Sequence, residues 1–390
     1  MARLGDICKF QSGGTPSKSN PDFFGGNIPW ITTVALNGGI IDSTNVVDWI
    51  TEKAIQESAA KIVPQNSIMV GTRVGIGKVA INAVPMSTSQ DIISLLDIDT
   101  ASWDKGFLCK FIIGKNNFLL SQARGATIKG IKIDTLSNLQ VPDIPLEEQR
   151  RITALLDKVS DLITKRRAQL DKLDLLVKAR FVEMFGDLAD PECPHKKCKL
   201  VDACVNSDDI KCGPFGTQLS KEEYQDHGVA VWEIPQINSY FTTQPTHFLT
   251  VEKAEQLKAY SIIPGDIAMS RKGNVGRCAL FPDNFDCGII HSDVLRIRVD
   301  KQQVNPCFMM YQLHFSGAVQ RQIEVVSSGA IMAGVNVTKL KHIEIHLPDF
   351  DLQQQFSHFV EKVDRMKYSI NNSLEKLETL KKALMQQYLG

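Results

Sequence analysis

Gly125-Ala126-Thr127-Ile128-Lys129-Gly130-Ile131, followed by Leu136, Pro142-Asp143, Leu146 and Gln149 and then by a long amphipathic stretch, decides how this chain is read. About 204 to 206 residues further on the same order returns as Gly329-Ala330-Ile331-Met332-Ala333-Gly334-Val335, Leu340, Pro348-Asp349, Leu352 and Gln355, again with an amphipathic stretch behind it. A repeat of that period is the tandem duplication of a globular unit plus a long helix.

Further pairs lie outward from this one. Leu4-Gly5-Asp6-Ile7-Cys8 matches Leu200-Val201-Asp202-Ala203-Cys204, and Ile68 to Ala80 matches Ile267 to Ala279, with Gly75-Ile76-Gly77-Lys78 facing Asn274-Val275-Gly276-Arg277. Between these anchors the copies differ almost everywhere. Two similar frames holding different variable surfaces suit a protein that reads two different things at a fixed separation.

The length of 390 residues exceeds what one core supports, and the repeat sets the number of globular units at two. With 43% hydrophobic and 23% charged residues the chain is of the folded, soluble class. It shows no run of 18 apolar residues and no signal-peptide pattern, so a cytoplasmic protein without membrane contact is expected. Its nine cysteines are odd in number and scattered, which suits reduced thiols. The cluster Cys193, His195, Cys198, Cys204 and Cys212 lacks the CxxC spacing of structural zinc sites, and no metal is expected. Formal net charge is +0, and neither globular half is basic overall. Were DNA the ligand, positive charge would have to be segregated onto one face or supplied by a partner.

Short apolar segments punctuated by Gly, Pro, Asn and Asp predict strands at 28–34, 67–70, 78–83 and 92–96, and a helix at 107–122. The second copy predicts strands at 229–234, 266–269, 277–281 and 294–299, and a helix at 306–324. From Leu146 to residue 185 there is neither proline nor glycine, and apolar residues recur at three-four spacing, including Ile152, Leu155, Val159, Leu162, Leu173 and Leu176. The stretch from Leu352 repeats this with Phe356, Phe359, Val363, Met366, Ile370, Leu377, Leu380 and Leu384. Two such stripes pack most economically on each other as an antiparallel coiled coil, although they could also serve a homodimer. The expected class is therefore α+β: two duplicated mixed α/β domains, 1–145 and 200–351, separated by long helices 146–186 and 352–390, with a linker at 187–199.

No catalytic constellation is found. Gly71 to Lys78 has Thr72 and Val79 where a phosphate loop needs glycine and Ser or Thr. A basic tight turn between two strands remains, and it suits either a phosphate contact or a plain hairpin. Asn305-Pro306-Cys307-Phe308 is an imperfect version of the motif with which amino-methyltransferases hold a flipped base, and it also reads as a helix start. Ser89-Gln90-Asp91 and His291-Ser292-Asp293 stand at matching places as turn chemistry or polar contacts. Loops mixing cations with Ser, Thr, Asn, Gln and Gly run over 11–20, 124–132, 211–221 and 327–339. The candidate DNA-contacting residues are Lys18, Arg73, Lys78, Ser89, Gln90, Lys129 and Lys132 in the first copy, and Lys221, Arg271, Lys272, Arg277, His291 and Lys339 in the second.

The whole chain resembles the specificity subunit of type I restriction-modification systems. The resemblance rests on Leu4-Gly5-Asp6-Ile7 with Ser12-Gly13-Gly14-Thr15-Pro16-Ser17, on Gly26-Asn27-Ile28-Pro29-Trp30-Ile31, on Gly75-Ile76-Gly77, on Ile133-Asp134-Thr135-Leu136, on the helix entry 142–152, on Arg180-Phe181-Val182-Glu183-Met184-Phe185-Gly186-Asp187, and on the duplication itself. It implies two target recognition domains, each reading one part of a split sequence in double-stranded DNA. It also implies docking of two methyltransferase subunits on the long helices and, through them, of restriction subunits. Catalysis of adenine methylation and cleavage would then belong to the partners, with no cofactor in this chain. The second copy has Cys212-Gly213-Pro214-Phe215-Gly216-Thr217 in place of Ser-Gly-Gly-Thr-Pro, a variant that implies a different base preference and an asymmetric site. Two rival readings stand beside this one: a coiled-coil protein scaffold without DNA specificity, and a methyltransferase or nuclease with a divergent site.

Overall fold

The computed structural model describes residues 1–125, 129–186, 188, 193–327 and 334–390. Ala126 to Ile128 and Gly329 to Ala333 of the repeat motifs, Asp187, and residues 189–192 of the expected linker lie outside the described residues, as does 328–333 of the 327–339 loop. The chain forms two compact units, Met1–Ala168 with Asn371–Gly390, and Gln169–Ile370.

In the first unit a sheet runs in the order Lys9–Ser12, Ile92–Leu96, Ile68–Gly71, Val79–Asn82, all antiparallel, with Ile40–Ile41 added in parallel at the far edge. A second sheet runs Asp48–Ile50, Phe24–Ile31, Met86–Thr88, Ile62–Val63, and its central pair is parallel. A small third sheet pairs Ala2–Arg3 with Gln140–Val141. The second unit repeats this arrangement, without a counterpart of Ile40–Ile41 among the described residues. Its first sheet is Ile210–Cys212, Val294–Ile297, Ile267–Ser270, Cys278–Leu280, and its second is His247–Leu249, Val229–Trp232, Gly288–Ile290, Ser261–Ile262, again with a parallel centre. Lys196–Lys199 with Glu344–Leu347 is its third.

The central strands read as unbroken apolar runs because both faces are covered. Ile68 and Val70 face Phe107, Leu108 and Phe111 of the helix Lys105–Gly114, while Met69 points the other way into a core with Ile31, Ile41 and Ile92. Ile267 and Met269 against Ala268 repeat the alternation in the second unit. The single helices expected at 107–122 and 306–324 are each two helices. Lys105–Gly114 and Asn116–Ser121 break at Lys115 after a glycine, and Pro306–Phe315 and Gly317–Ser327 break at an extended Ser316.

Leu146–Phe185 and Phe350–Leu389 are α-helices of 40 residues each. The division between units falls inside both. In the first unit Arg151 lies over the Tyr388 ring at 5.9 Å and Arg167 pairs with Glu378 at 2.7 Å, so the two helices run antiparallel there. In the second unit Asp174 pairs with Lys367 at 2.5 Å, while Phe181 and Phe185 pack on Phe356, again antiparallel. The buried seam is Ile152, Leu156, Val159, Ile163, Val177, Phe181 and Phe185 on one helix, and Phe356, Val360, Val363 and Leu389 on the other. Leu155, Leu173, Phe359, Ile370, Leu377 and Leu384 are half-buried beside it.

Leu162, Leu176, Met366 and Leu380 are a correction to the expected seam, because all four are exposed. Each stands one position before the inward-facing residue, which is Ile163, Val177, Lys367 or Lys381. The seam follows the narrow heptad pattern, so these leucines and the methionine fall outside it. Lys367 and Lys381 occupy seam positions half-buried; Lys367 reaches Asp174 with its ammonium, and burial lowers the pKa of Lys381. Among the described residues, no helix is long and apolar enough to cross a membrane.

Candidate nucleic-acid interface

The basic turns of the two copies are the same object. In the first unit residues 72–77 join two neighbouring antiparallel strands, with Gly71 N–H donating to Lys78 O at 2.8 Å and Gly77 N–H to Gly71 O at 2.9 Å. In the second, Ser270 N–H donates to Arg277 O at 2.8 Å and Gly276 N–H to Ser270 O at 3.1 Å. Gly77 and Gly276 have φ of 76° and 79°, where a side chain would be strained, and a Cβ on Gly77 would also collide with Asn116. Their glycines make a tight strand connection.

Two other loops are bound to this turn by duplicated backbone bonds. Thr72 N–H donates to Asp91 O and Ile131 N–H to Thr72 O, both at 2.8 Å. Arg271 N–H donates to Asp293 O at 2.8 Å and Val335 N–H to Arg271 O at 3.0 Å. Gly13 N–H reaches Ile92 O, and Gly213 N–H reaches Val294 O. A Cβ at Gly13 or Gly213 would lie 2.3 Å from the carbonyl oxygen of Ser89 or His291, so only glycine lets this crossing form. Within this shared frame Arg73 pairs with Asp91 at 3.7 Å and Lys272 with Asp293 at 2.8 Å. Thr15, Thr72 and Ser89 of the first copy stand where the second has Phe215, Arg271 and His291.

In the first unit Arg73 and Lys132 line one cavity of about 630 Å³ together with Arg124, Gln122 and Thr135. Lys129 is exposed next to Gly130, which exchanges a pair of hydrogen bonds with Arg124, and Lys78 is exposed at the end of the basic turn. Gln90 is exposed, and its backbone N–H lies 3.5 Å from Thr15 Oγ1. Ser89 is a correction: it is 3% exposed beneath the Gly13 crossing and presents no surface to a ligand. Lys18 is exposed further along the loop that carries Gly13 and Thr15. Arg124 was missed because its only sequence signal was a place in a variable polar loop.

In the second unit Arg271, Lys272 and His291 come together around Asp293. The Arg271 guanidinium lies 4.7 Å from the Phe215 ring centroid, and its Nε donates to Val335 O at 3.2 Å. Asp293 N–H donates to His291 Nδ1 at 3.2 Å, which makes Nδ1 the acceptor and leaves Nε2 to carry the ring proton. Arg277 is turned away, over Tyr240 at 5.1 Å and donating to Asn238 O at 3.0 Å. Lys339 lines a different groove with Arg321 and His342, and Lys221 opens a separate short helical turn. Phe215 was missed as part of the site, since an aromatic side chain in a polar loop reads first as packing.

A second basic groove, of about 540 Å³, is built from Lys211, Lys258, Arg296 and Arg298, and its cations are already committed. Arg298 makes two bonds to Asp266 at 2.8 and 2.7 Å, which raise its pKa, and Arg296 donates to the carbonyls of Ser261 and Asp208 at 2.8 and 2.9 Å. Lys258 pairs with Glu255 and Lys211 with Asp208. This groove ties strands together.

Asn305 caps a helix: its Oδ1 accepts from Cys307 N–H at 2.9 Å and Phe308 N–H at 3.2 Å, and its amide donates to Gln354. Asp104 Oδ1 accepts from Phe107 N–H in the same way in the first copy. The flipped-base reading of Asn305-Pro306-Cys307-Phe308 therefore gives way to the helix start. Cys198 and Cys212 lie on different sheets, and burial pushes the Cys204 thiol up to about 12. Among the described residues no group of three or more His, Cys, Asp or Glu could hold a metal ion.

Comparison with known proteins bears on both units. The MjaIX specificity subunit of a type I restriction enzyme from Methanocaldococcus jannaschii is 30% identical over 188 residues, which are 48% of this chain and 44% of that protein. The EcoR124I/EcoR124II specificity subunit of Escherichia coli is 30% identical over 47% of this chain and 46% of its own length, so this chain aligns with less than half of each of these two relatives. The MjaVIII specificity subunit of M. jannaschii is 22% identical over 100% of this chain and 91% of its own. Among solved structures, a chain from a study of assembly and conformational transition of the type I R-M system superposes with TM-score 0.64 at 18% identity, covering 100% of this chain and 96% of that one. The S subunit from M. genitalium does so with TM-score 0.58 at 13% identity, covering 100% and 95%. These two likenesses establish the fold. The family model described as "Type I restriction modification DNA specificity domain" matches residues 1–172 and 211–381, and with both copies of the frame inside those limits the chain belongs to that family.

Proposed function

We propose that this chain is the DNA specificity subunit of a type I restriction-modification assembly, reading a split, asymmetric duplex sequence and directing adenine methylation and restriction by partner subunits. The observation that carries this reading is the duplicated hydrogen-bonded frame around Thr72 and Arg271, which holds different side chains in its two copies. Two frames of one geometry meet DNA in one way, and unlike side chains then read unlike bases.

The 44 Lys and Arg are balanced by 44 Asp and Glu and the net charge is +0, so in this reading partners share the grip on the phosphates. Leu162 and Leu380 in the first unit, and Leu175, Leu176 and Met366 in the second, are apolar side chains left outside the seam of the long helices. They suit the docking of two methyltransferase subunits, with restriction subunits joining through them. Adenine chemistry in this reading belongs wholly to those partners.

A mobility shift of pooled duplex DNA fragments, with the chain alone, the methyltransferase alone and the two combined, tests this reading. A shift by the combined sample that survives excess unrelated duplex supports it. Assembly of the two proteins with no gain in DNA retention would favour the coiled-coil scaffold instead.

A further inference from the structure

The frame separates two kinds of position. One kind keeps its chemistry in both copies: Arg73 and Lys272 are cations on the same turn, each beside the same aspartate, Asp91 or Asp293. The other kind changes completely. Thr72 is 4% exposed and donates its hydroxyl inward to Asp91 O at 3.1 Å, while the side chain of its counterpart Arg271 is half-buried and lies over the Phe215 ring. The phosphate backbone is the same on any sequence, so a charge kept in both copies suits it. A side chain that differs between copies suits the bases.

Arg271 is held as a planar reader would be. Its guanidinium stacks on Phe215 at 4.7 Å, and Nε is fixed on Val335 O at 3.2 Å. Asp293 pairs with Lys272 at 2.8 Å, and the Arg271 backbone N–H is used on Asp293 O. No hydrogen bond among the described residues employs the two terminal amino groups of Arg271. A guanidinium with one edge anchored and its face supported presents a preset two-donor fork. The partner of that fork on a duplex is the acceptor pair O6 and N7 of guanine in the major groove.

Resting on the proposed specificity function, we propose that Arg271 is a base-reading residue of the second unit that selects a guanine in its half-site, with Phe215 as the positioning residue that holds the fork. Lys272 and Arg73 are the matching backbone contacts of the two units. The first unit, with Thr72 turned inward, has no such reader at this place, so the two half-sites differ there.

The test uses the full chain assembled with its methyltransferase partner, acting on duplex libraries in which each base pair of the recognised site is varied. Methyl transfer to the duplex by the wild-type complex is expected to demand a G·C pair at one position of the half-site read by the second unit. R271Q and R271T, the latter installing the first copy's residue, are expected to lose about 5- to 150-fold discrimination at that one position and none in the other half-site. R271K keeps the charge without the fork and should lose most of the same preference. F215A should weaken it at the same position. K272Q should lower affinity for all sequences alike and flatten the salt dependence by about one unit of slope. Unchanged discrimination in R271Q and R271T, or a uniform loss across all sequences like that of K272Q, would overturn the assignment. A wild-type complex with no sequence preference at all would instead remove the specificity reading on which it rests.

Discussion

Gln149 and Gln353 each stand in the second turn of a long helix and tie it to the globular part of its own unit. Gln149 Oε1 accepts from Asp104 N–H at 2.9 Å, and its amide donates to Ser102 O and Ile144 O at 3.0 and 2.9 Å. Gln353 accepts from Asn305 N–H at 2.9 Å and donates to Pro348 O at 2.8 Å. Both are buried, so truncation leaves backbone groups without partners. Q149A and Q353A are expected to cost about 1–3 kcal/mol each in chemical denaturation, and an unchanged midpoint would contradict the role. The sequence repeat had aligned Gln149 with Gln355, which is exposed, because the Pro-Asp pair sits two residues nearer the helix in the second copy. Spacing along a chain does not show such a shift in a connecting loop. His314 offers a pH test at the same scale. Burial, then Arg277 and Lys178, lower its pKa below the usual 6.5. The unfolded chain therefore takes up a proton on falling through pH 6.5 that the folded protein still refuses, and stability drops as the pH falls below that value. H314N should flatten the part of the pH 7 to 5 stability loss that this residue causes, read as melting temperature against pH.

At the scale of elements, the long helices were legible because their stretches lack proline and glycine and repeat apolar residues at helical spacing. Which apolar residues face inward was less so. Met366 and Leu380 look like seam residues, yet the adjacent Lys367 and Lys381 hold those places, since a lysine stem can lie along an apolar groove, as where the Lys367 ammonium reaches Asp174. The consequence is a contrast between neighbours. L156A or L389A, each 1% exposed, should cost about 2–5 kcal/mol, whereas L162S and L380S should stay within about 0.5 kcal/mol in the isolated chain. The same two serine variants should weaken binding of the methyltransferase subunit, measured by calorimetry. Equal destabilisation by all four would refute the seam assignment. The helix breaks at Lys115 and Ser316 escaped the periodicity because the second short helix keeps the apolar phase of the first. The eight expected strands, by contrast, lie within a few residues of their places, while short ones such as Lys9–Ser12, Met86–Thr88 and Gly288–Ile290 were not expected.

The whole molecule is a frame used twice. Its repeat could be read from the amino acids because the residues that close turns and crossings, such as Gly13, Gly77, Gly213 and Gly276, are fixed by backbone geometry. The surface that such a frame presents could not be read in the same way. Ser89 looked like a polar contact and is buried, while Arg124 and Phe215 looked incidental and stand at the candidate interface. Modular use of the frame predicts that replacing residues 1–145 with the corresponding segment of another family member changes one half of the recognised sequence only. Changes in both halves would count against modular reading.

The most direct measurement is sequencing of adenine methylation in cells that express this chain with its methyltransferase partner, beside cells that express the partner alone. The prediction is a split, asymmetric methylated motif that is present with the chain and disappears without it. An active methyltransferase whose methylated motif is the same in both would contradict the claim that this chain supplies the specificity.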